Sequence, residues 1–322
     1  MTQLLRPENL QDRLLFAIPK KGRLNETCLS LLSGADIQFK RAHRLDVALV
    51  KNLPIALVFL PAADIPHFVA NGDVDLGVTG HDMVQEAGPA IANAIDEELA
   101  LGFGKCQLQV QIPEASDTIK TVQDLVGKKV ATSFDHLAGK YFGELDKQSG
   151  SDKSTTIAYL NGSVETACAL GLADGIGMLL WIWLVRRIWK RALTSESGET
   201  MRACGLKPIA TLLSSEAKLI RPKTPHARSD TALISLITAR IRGVIAAKRY
   251  VLCQYNIPKV NISQALEITP GRRAATVSTL EESDWSAVSS MVTRDEVANI
   301  MDRLENVGAT DILILSIDNC RV

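Results

Sequence analysis

The sequence predicts an α/β protein with two lobes around a cleft and a smaller ferredoxin-like domain at the C-terminal end. Short apolar runs alternate with segments of helical periodicity through roughly the first two thirds of the chain, as in α/β lobes. Midway, CQLQVQI at residues 106–112 alternates polar and apolar residues, which is typical of a strand crossing between two lobes. The end of the chain follows the ferredoxin-like order β-α-β-β-α-β.

The first lobe is predicted to span residues 1–105 and to be rejoined by about 206–224. It begins with the apolar strand LLFAI, a basic turn and a helix. Its further elements are strands at residues 46–50, 55–60 and 74–82, and a helix from Ile65 that is closed by Asn71 and Gly72. Because strands and helices alternate, we expect parallel sheets in both lobes.

The second lobe is predicted to span residues 106–205 and the C-terminal domain residues 225–322. The second lobe contains a short helix at 122–125, strands at 129–132 and 156–160, and a helix at about 136–147. The C-terminal domain opens with a long amphipathic helix. Its last helix starts at a capping box formed by Thr293 and Glu296 and ends at Gly308.

Composition excludes several classes of partner. The 36 basic and 36 acidic residues balance, so neither a nucleic acid nor a charged membrane surface is expected as a partner. The six cysteines are scattered without a CxxC pair, which indicates reduced buried thiols rather than a zinc site or a disulfide framework. The polar N-terminus lacks the features of a secretory signal, and the apolar run at 176–185 is shorter than the roughly 20 residues that cross a bilayer. We therefore expect a cytoplasmic location without a membrane span.

Three polar segments are candidates for ligand binding. Lys21, Gly22 and Arg23 follow a strand and precede a helix, where a glycine and two cations suit an anion. Residues 79–82 follow another strand, and ligands of open α/β sheets bind at the carboxyl ends of strands. Residues 197–200 carry two hydroxyls and a glycine before a predicted helix, a pattern suited to a phosphate. Each pattern also fits a plain surface turn or helix cap, and His81 is interpreted as a surface residue.

Several motifs together resemble the ATP phosphoribosyltransferase family. They are FAIPKKGRL at 16–24, FLPAADIPHFVANGDVDLGVTGHD at 59–82, GKKVATSFDHLAGKYF at 127–142, and NGSVETACALGLADGI with ESGETMRACGL on either side of residues 177–195. The resemblance covers nearly the whole chain in order, including a C-terminal domain like the histidine-sensing (ACT-like) domain of the family's long form. It implies transfer of a phosphoribosyl group from phosphoribosyl pyrophosphate to N1 of ATP, with Mg²⁺, feedback inhibition by histidine, and a hexamer built from dimers.

The resemblance also implies roles for individual residues. Glu165 matches a glutamate near the ribose and Mg²⁺, and Asp174 lies in the same motif, where it either contributes to the site or braces a turn. The phosphate loop corresponds to Glu196, Ser197, Gly198, Glu199 and Thr200. Substrate-side positions correspond to Lys21, Gly22, Arg23, Thr79, Gly80 and Asp82. The histidine effector site corresponds to Ala309 and Thr310.

One segment departs from the family pattern. The family has Val-Asp-Leu-Val between the positions of Ile176 and Glu196, whereas this chain has 19 residues, 177–195. The aspartate expected to bind the ribose hydroxyls has no counterpart, since its place falls on Met178 counted forward or Leu193 counted back. The segment holds three of the chain's four tryptophans and no acidic residue.

Two hypotheses account for this segment: a translated intron in the gene model, which we favour, or a genuine insertion. If the insertion is genuine, we expect little catalysis, and the chain is then an impaired paralogue that still binds histidine. A third alternative is a non-catalytic small-molecule binding protein, because two α/β lobes with a crossing strand also describe periplasmic binding proteins.

Overall fold

The computed structural model describes residues 10, 12–41, 45–150, 153–181, 204–225, 229–282 and 284–321. The chain forms two compact units. One unit runs up to Leu29 and from Gln38 to Ile234, and the other takes Ser30–Ile37 and the chain from Ser235 onward.

In chain order, the helices and strands of the described residues are β1 (Leu14–Pro19), α1 (Arg23–Gly34), β2 (Val47–Leu49), β3 (Ile55–Leu60), α2 (Ile65–Ala70), β4 (Leu76–Gly80), α3 (His81–Glu86), α4 (Pro89–Asn93), β5 (Ile95–Ala100), β6 (Cys106–Pro113), β7 (Lys129–Thr132), α5 (Asp135–Ser149), β8 (Thr156–Tyr159), α6 (Thr166–Ala169), β9 (Gly175–Trp181), β10 (Leu206–Ser215), β11 (Ala217–Pro222), α7 (Thr231–Arg249), β12 (Tyr250–Pro258), α8 (Ile262–Ile268), β13 (Thr276–Thr279), β14 (Trp285–Thr293), α9 (Val297–Asn306) and β15 (Thr310–Ser316). Short 3₁₀ helices lie at Val122–Leu125, Lys259–Asn261 and Arg294–Glu296.

Lobe I of the first unit is a six-stranded sheet in the order β2-β3-β1-β4-β11-β5, with its helices. Strand β1 lies inside the sheet, and its residues Phe16, Ala17 and Ile18 are fully buried. Ala17 packs against Ile65 and Val69 of α2. It pairs in parallel with β3 and β4, whereas β2 and β11 run antiparallel to their neighbours. The expectation of a parallel sheet was therefore wrong for this lobe, because the strand β11 that returns from lobe II enters it from the opposite direction.

Lobe II is a five-stranded sheet in the order β10-β6-β9-β7-β8 with its helices. Strand β7 pairs in parallel with β8 and β9, and β6 is antiparallel to β9 and β10. One face packs Val110 and Val130 against Phe142 of α5, and the other packs Ile176 against Ala167 of α6. This sheet too is mixed rather than parallel, because its two connections with lobe I run in opposite directions.

The chain rejoins lobe I later than the sequence indicated. Leu206–Ser215 forms β10, which pairs antiparallel with β6 in the sheet of lobe II, and the return to lobe I begins at Ala217 in β11. The prediction that about 206–224 belongs to the first lobe was wrong for residues 206–215. Apolar strands look alike in sequence whichever sheet they join, because partner choice depends on tertiary contacts.

The C-terminal part of the second unit has the ferredoxin-like order β12-α8-β13-β14-α9-β15, in a sheet ordered β13-β14-β12-β15. Strands β12 and β14 alternate buried and half-exposed residues, so one face of the sheet is a core face. Tyr255 and Ile257 of β12 pack there with Ile300 and Leu304 of α9. The predicted ferredoxin-like domain is confirmed.

Candidate active site

The carboxyl ends of β1, β3 and β4 lie at one edge of lobe I, which we call the lobe I edge. The N–H of Lys20, after β1, donates to the carbonyl oxygen of Leu60 at the end of β3 at 2.7 Å. Thr79 of β4 is fully buried, and its Oγ1 donates to the carbonyl oxygen of Ala62 at 2.7 Å. The predicted segments at 21–23 and 79–82 are therefore at the same edge.

Residues 21–23 form an exposed turn at the lobe I edge. Gly22 has φ +81°, a conformation that side-chain-bearing residues rarely adopt, and the position where its Cβ would lie is open space. The glycine is thus explained by the backbone conformation of the turn, and the exposed N–H groups and the Lys21 side chain remain accessible to an anion. Beside them, Lys20 pairs with Asp46 at 2.7 Å and lowers the pKa of that carboxyl through the hydrogen bond.

The turn from β4 into α3 is fixed by a buried pair, Asp82 and Ser215. The N–H of Asp82 donates to Ser215 Oγ at 2.9 Å, and the same hydroxyl donates to Asp82 Oδ1 at 2.5 Å. Asp82 is 5% exposed, and burial raises the pKa of its carboxyl. A Cβ on Gly80 would collide with the Asp82 carboxylate, so this pair requires glycine there. The structure therefore places Asp82 in a contact with the last residue of β10.

A charged cluster flanks this turn, and a cavity of about 430 Å³ lies against it. His81 Nδ1 lies 2.5 Å from Glu97 Oε1, and the hydrogen bond from His81 lowers the pKa of Glu97. Lys218 lies 3.7 Å from Glu97 and 3.3 Å from Glu216. His81 is thus a half-buried member of an ion cluster rather than a free surface residue, which the sequence did not reveal.

In lobe II, the two predicted carboxylates lie at opposite edges of the sheet. Glu165 follows β8, which runs parallel to β7. The N–H of Leu160, directly after β8, donates to the carbonyl oxygen of Thr132, the last residue of β7, at 2.8 Å. Glu165 therefore follows the carboxyl ends of these strands. Asp174 Oδ2 instead accepts the N–H of Lys129, the first residue of β7, at 3.0 Å. This geometry favours the interpretation that Asp174 braces a turn.

Strand β9 leads to the departure from the family pattern. Its residues Gly177 to Trp181, the first five of the 19, continue the strand and pair with β6, with Met178 opposite Gln109. The phosphate-loop residues predicted at Glu196, Ser197, Gly198, Glu199 and Thr200 lie outside the described residues. On β6, Gln111 is fully buried, and neither of its amide atoms has a hydrogen-bond partner within the described part of the chain.

In the second unit, Ala309 and Thr310 lie at the start of β15. Ala309 is buried, and its N–H donates to the carbonyl oxygen of Leu304 at 3.0 Å. Asp311 next to them has φ 50°, and its Oδ2 accepts hydrogen bonds from Asn256 Nδ2 at 3.0 Å and from Thr310 Oγ1 at 3.3 Å. Asn256 and Asp311 were not singled out from the sequence, since nothing in their spacing indicates that β12 and β15 are neighbours.

Among the residues that the structure describes, no helix is long and apolar enough to span a membrane, and no cluster of three His, Cys, Asp or Glu side chains is arranged to hold a metal. The six cysteines are free, and burial raises the pKa of Cys28 and of Cys106 to about 12.

Comparisons of the chain with family models and with known relatives identify the same family. A family model described as ATP phosphoribosyltransferase matches residues 61–180, and one described as HisG, C-terminal domain, matches residues 247–319. The ATP phosphoribosyltransferases of Yarrowia lipolytica and Candida albicans are 54% and 52% identical to this chain, and each alignment covers 98% of both proteins. That of Saccharomyces cerevisiae is 48% identical with the same coverage.

A solved structure supports the fold. The ATP phosphoribosyl transferase (HisG:HisZ) complex from Thermotoga maritima matches with a TM-score of 0.54 at 20% identity, over 71% of this chain and 98% of that one. At this identity the match speaks for the fold alone, and it agrees with the predicted two-lobed α/β architecture. The full-length identity to the yeast enzymes is high enough to show the family, and the chain belongs to the ATP phosphoribosyltransferase family.

Proposed function

We propose that this chain transfers the phosphoribosyl group of phosphoribosyl pyrophosphate to N1 of ATP and releases pyrophosphate, as the first step of histidine biosynthesis. The observation that carries the proposal is the identity of about half of all residues to yeast ATP phosphoribosyltransferases over the full length. This similarity supports a pentosyltransferase and does not favour a non-catalytic binding protein.

This reaction depends on the positions of the two substrates and on charge stabilisation more than on proton transfer. As pyrophosphate leaves, negative charge concentrates on it while the ribosyl carbon becomes cationic, so anion donors and a nearby carboxylate stabilise the transition state. The exposed turn at 21–23 offers backbone N–H groups and cations at the lobe I edge. Residues 197–200 would hold the 5′-phosphate, and Glu165 at the carboxyl side of lobe II would face the ribose.

Mg²⁺ is proposed as the metal of this reaction. This ion keeps several waters and binds through one or two carboxylates plus substrate phosphates. The half-exposed Glu165 carboxylate fits that role, since a site shared with pyrophosphate needs no preformed cluster of protein ligands. When bound, Mg²⁺ would neutralise charge on the leaving pyrophosphate.

Regulation and assembly follow from the resemblance and are proposed with it. Histidine would inhibit by binding in the C-terminal domain at Ala309 and Thr310, where Asn256 and Asp311 present polar groups. We further propose a cytoplasmic hexamer built from dimers. Domain borders are proposed at about residues 105, 215 and 225, so that β10 belongs to lobe II.

The test is a pyrophosphate-release assay with the full chain. We expect release that requires ATP, phosphoribosyl pyrophosphate and Mg²⁺ together and that histidine suppresses. Thermal shifts with each ligand alone give a second reading, because a ligand that binds the folded state raises the melting temperature.

Residues 177–195 set the level of activity in that assay. Replacing them by Val-Asp-Leu-Val restores the aspartate. We expect kcat/KM to rise by about 100-fold or more, because the variant regains a charged contact worth about 3 kcal/mol. Equal turnover of the two proteins would show that the segment is harmless. Absence of turnover in both would refute the transferase. Sequencing the spliced messenger separates a translated intron from a genuine insertion.

A further inference from the structure

Helix α3 of lobe I ends at Glu86, whose carboxylate caps a helix of lobe II. Glu86 Oε1 accepts the N–H of His136 at 2.9 Å, and Oε2 accepts the N–H of Leu137 at 3.0 Å. Both amides belong to the first turn of α5, where N–H groups have no partner inside the helix. Phe134, which precedes α5, provides no side-chain cap. Two N–H groups at the open end of this 15-residue helix are thus bonded by a side chain of the other lobe.

The opposite end of α3 is tied to the segment that joins the lobes. Asp82 in its first turn exchanges two hydrogen bonds with Ser215, the last residue of β10. The N–H of His81 donates to the carbonyl oxygen of Glu216 at 3.0 Å. Helix α3, directly after the turn at Thr79 and Gly80, is therefore held at both ends by lobe II or by the connection to it.

Further hydrogen bonds lead from α5 to the strand that carries Met178. The N–H of Phe134 donates to Thr132 Oγ1 at 3.0 Å, and Thr132 Oγ1 donates to the carbonyl oxygen of Gly177 at 2.8 Å. Thr132 is fully buried, so water does not replace these bonds. The N-terminus of α5 is thus connected to β9 at the residue before Met178.

We propose that Glu86 is a positioning residue for phosphoribosyl transfer: by capping α5 it holds lobe II at a fixed distance from the lobe I edge. The proposal rests on the function proposed above. Reaction between two bound substrates requires the reacting atoms about 3–3.5 Å apart, and an error of about 1 Å costs on the order of 100-fold in rate. Glu86 acts through α5 and β9.

The chemistry of the contact explains why an acid stands at this position. A carboxylate has two acceptor oxygens and serves both N–H groups, whereas the amide of glutamine has one acceptor oxygen. Burial raises the pKa of Glu86 to about 7, with Asp135 adding to the rise and the amides of His136 and Leu137 opposing it. The cap is thus kept although burial and a neighbouring carboxyl disfavour its charge.

The test compares E86A with a matched variant, D124A, in the full chain. Asp124 Oδ2 also accepts two backbone N–H groups, those of Lys120 and Thr121, both at 2.9 Å, but entirely within lobe II. We expect E86A to lower kcat for pyrophosphate release about 10-fold or more with little change in KM, and E86Q to lie between E86A and the wild type. D124A should keep the wild-type kcat. A kcat of E86A within about twofold of D124A would overturn the proposal.

A structural measurement separates this proposal from the proposed function. If neither the wild-type chain nor the variant with Val-Asp-Leu-Val in place of residues 177–195 releases pyrophosphate, the transferase assignment fails. The distance between spin labels at the exposed Asp73 of lobe I and Gln148 of lobe II then tests the role of Glu86 by itself. A broader distance distribution in E86A than in the wild type and D124A supports the positioning role. Identical distributions in all three proteins overturn it.

Discussion

The two lobes use their polar groups differently. At the lobe I edge, Thr79 and Asp82 are buried and direct their side-chain hydrogen bonds to Ala62 and Ser215. In lobe II, Met178 of β9 is one of the two positions, with Leu193, where the resemblance places an aspartate. The buried Gln111 has two amide atoms without a partner among the described residues. Thr79 and Asp82 thus have protein partners for their side chains, whereas Gln111 has none within the described part of the chain.

The paired side chains of lobe I and the unpaired amide of lobe II lead to different expectations for stability. Because the side chains of Thr79 and Asp82 are already hydrogen-bonded within the protein, their loss should first reduce the free energy of unfolding. An unpaired buried amide is costly until something pairs with it, so substitution in lobe II should reveal whether a ligand or residues 182–203 supply the partner. Substitutions on the two sides test this contrast, from the largest expected effect to the smallest.

Replacing Gly80 with alanine should damage the lobe I edge most. The added Cβ would displace the Asp82 carboxylate from Ser215, which leaves a buried acid without its hydroxyl partner. We expect a loss of about 2–3 kcal/mol in the free energy of unfolding, measured by urea denaturation. The same substitution at Gly139, an exposed position in α5 with open space around it, is the control and should add about 0.5–1 kcal/mol.

Replacing Ser215 with alanine should cost somewhat less, about 1–2 kcal/mol, because Asp82 loses one partner but keeps its position. The exposed neighbour Ser214 is the control, and S214A should change stability by less than about 0.5 kcal/mol. Since G80A and S215A break the same contact, the double variant should lose less than the sum of the two. Additive losses would show that Gly80 acts independently of Ser215.

Much of this contrast was hidden from the sequence. The alternation of strands and helices and the ferredoxin-like order were enough to predict the fold class, because periodicity is a local property. The partners of Asp82 and Glu86 were not predictable, since Ser215 lies 133 residues and His136 lies 50 residues away in the chain. Strand β5 was also missed, because IDEELA is acidic and its place beside β11 depends on tertiary pairing. The family assignment came from motif resemblance and is confirmed by the relatives.

Replacing Gln111 with methionine tests the lobe II side of the comparison. Methionine keeps the shape and removes two unpaired polar atoms, so the free energy of unfolding should rise by about 1 kcal/mol. The same substitution at the exposed Gln123 is the control and should have an effect below about 0.5 kcal/mol. Destabilisation by Q111M would show that a polar group outside the described residues pairs with this amide.

The smallest effect concerns the contact between the lobes, and it depends on pH. Burial raises the pKa of Glu86 from an ordinary value of about 4.5 to about 7. The folded protein therefore binds this proton more tightly than the unfolded chain does. The resulting stability is fully present below the ordinary pKa and is lost as pH rises through about 7.

We therefore expect the stability of the wild type relative to E86Q, measured by urea denaturation at pH 5, 6 and 8, to fall as pH rises. The change should stay below about 1 kcal/mol, because Glu86 is half-exposed and solvent screens its charge. Asp135 and His136 of α5 lie beside it in both proteins, so their own titration largely cancels in the difference. A difference that grows with pH would mean that the two amides of α5 outweigh burial and hold Glu86 ionised. The lobes would then be joined by a charged cap, and the contact would be strongest at neutral pH rather than in acid.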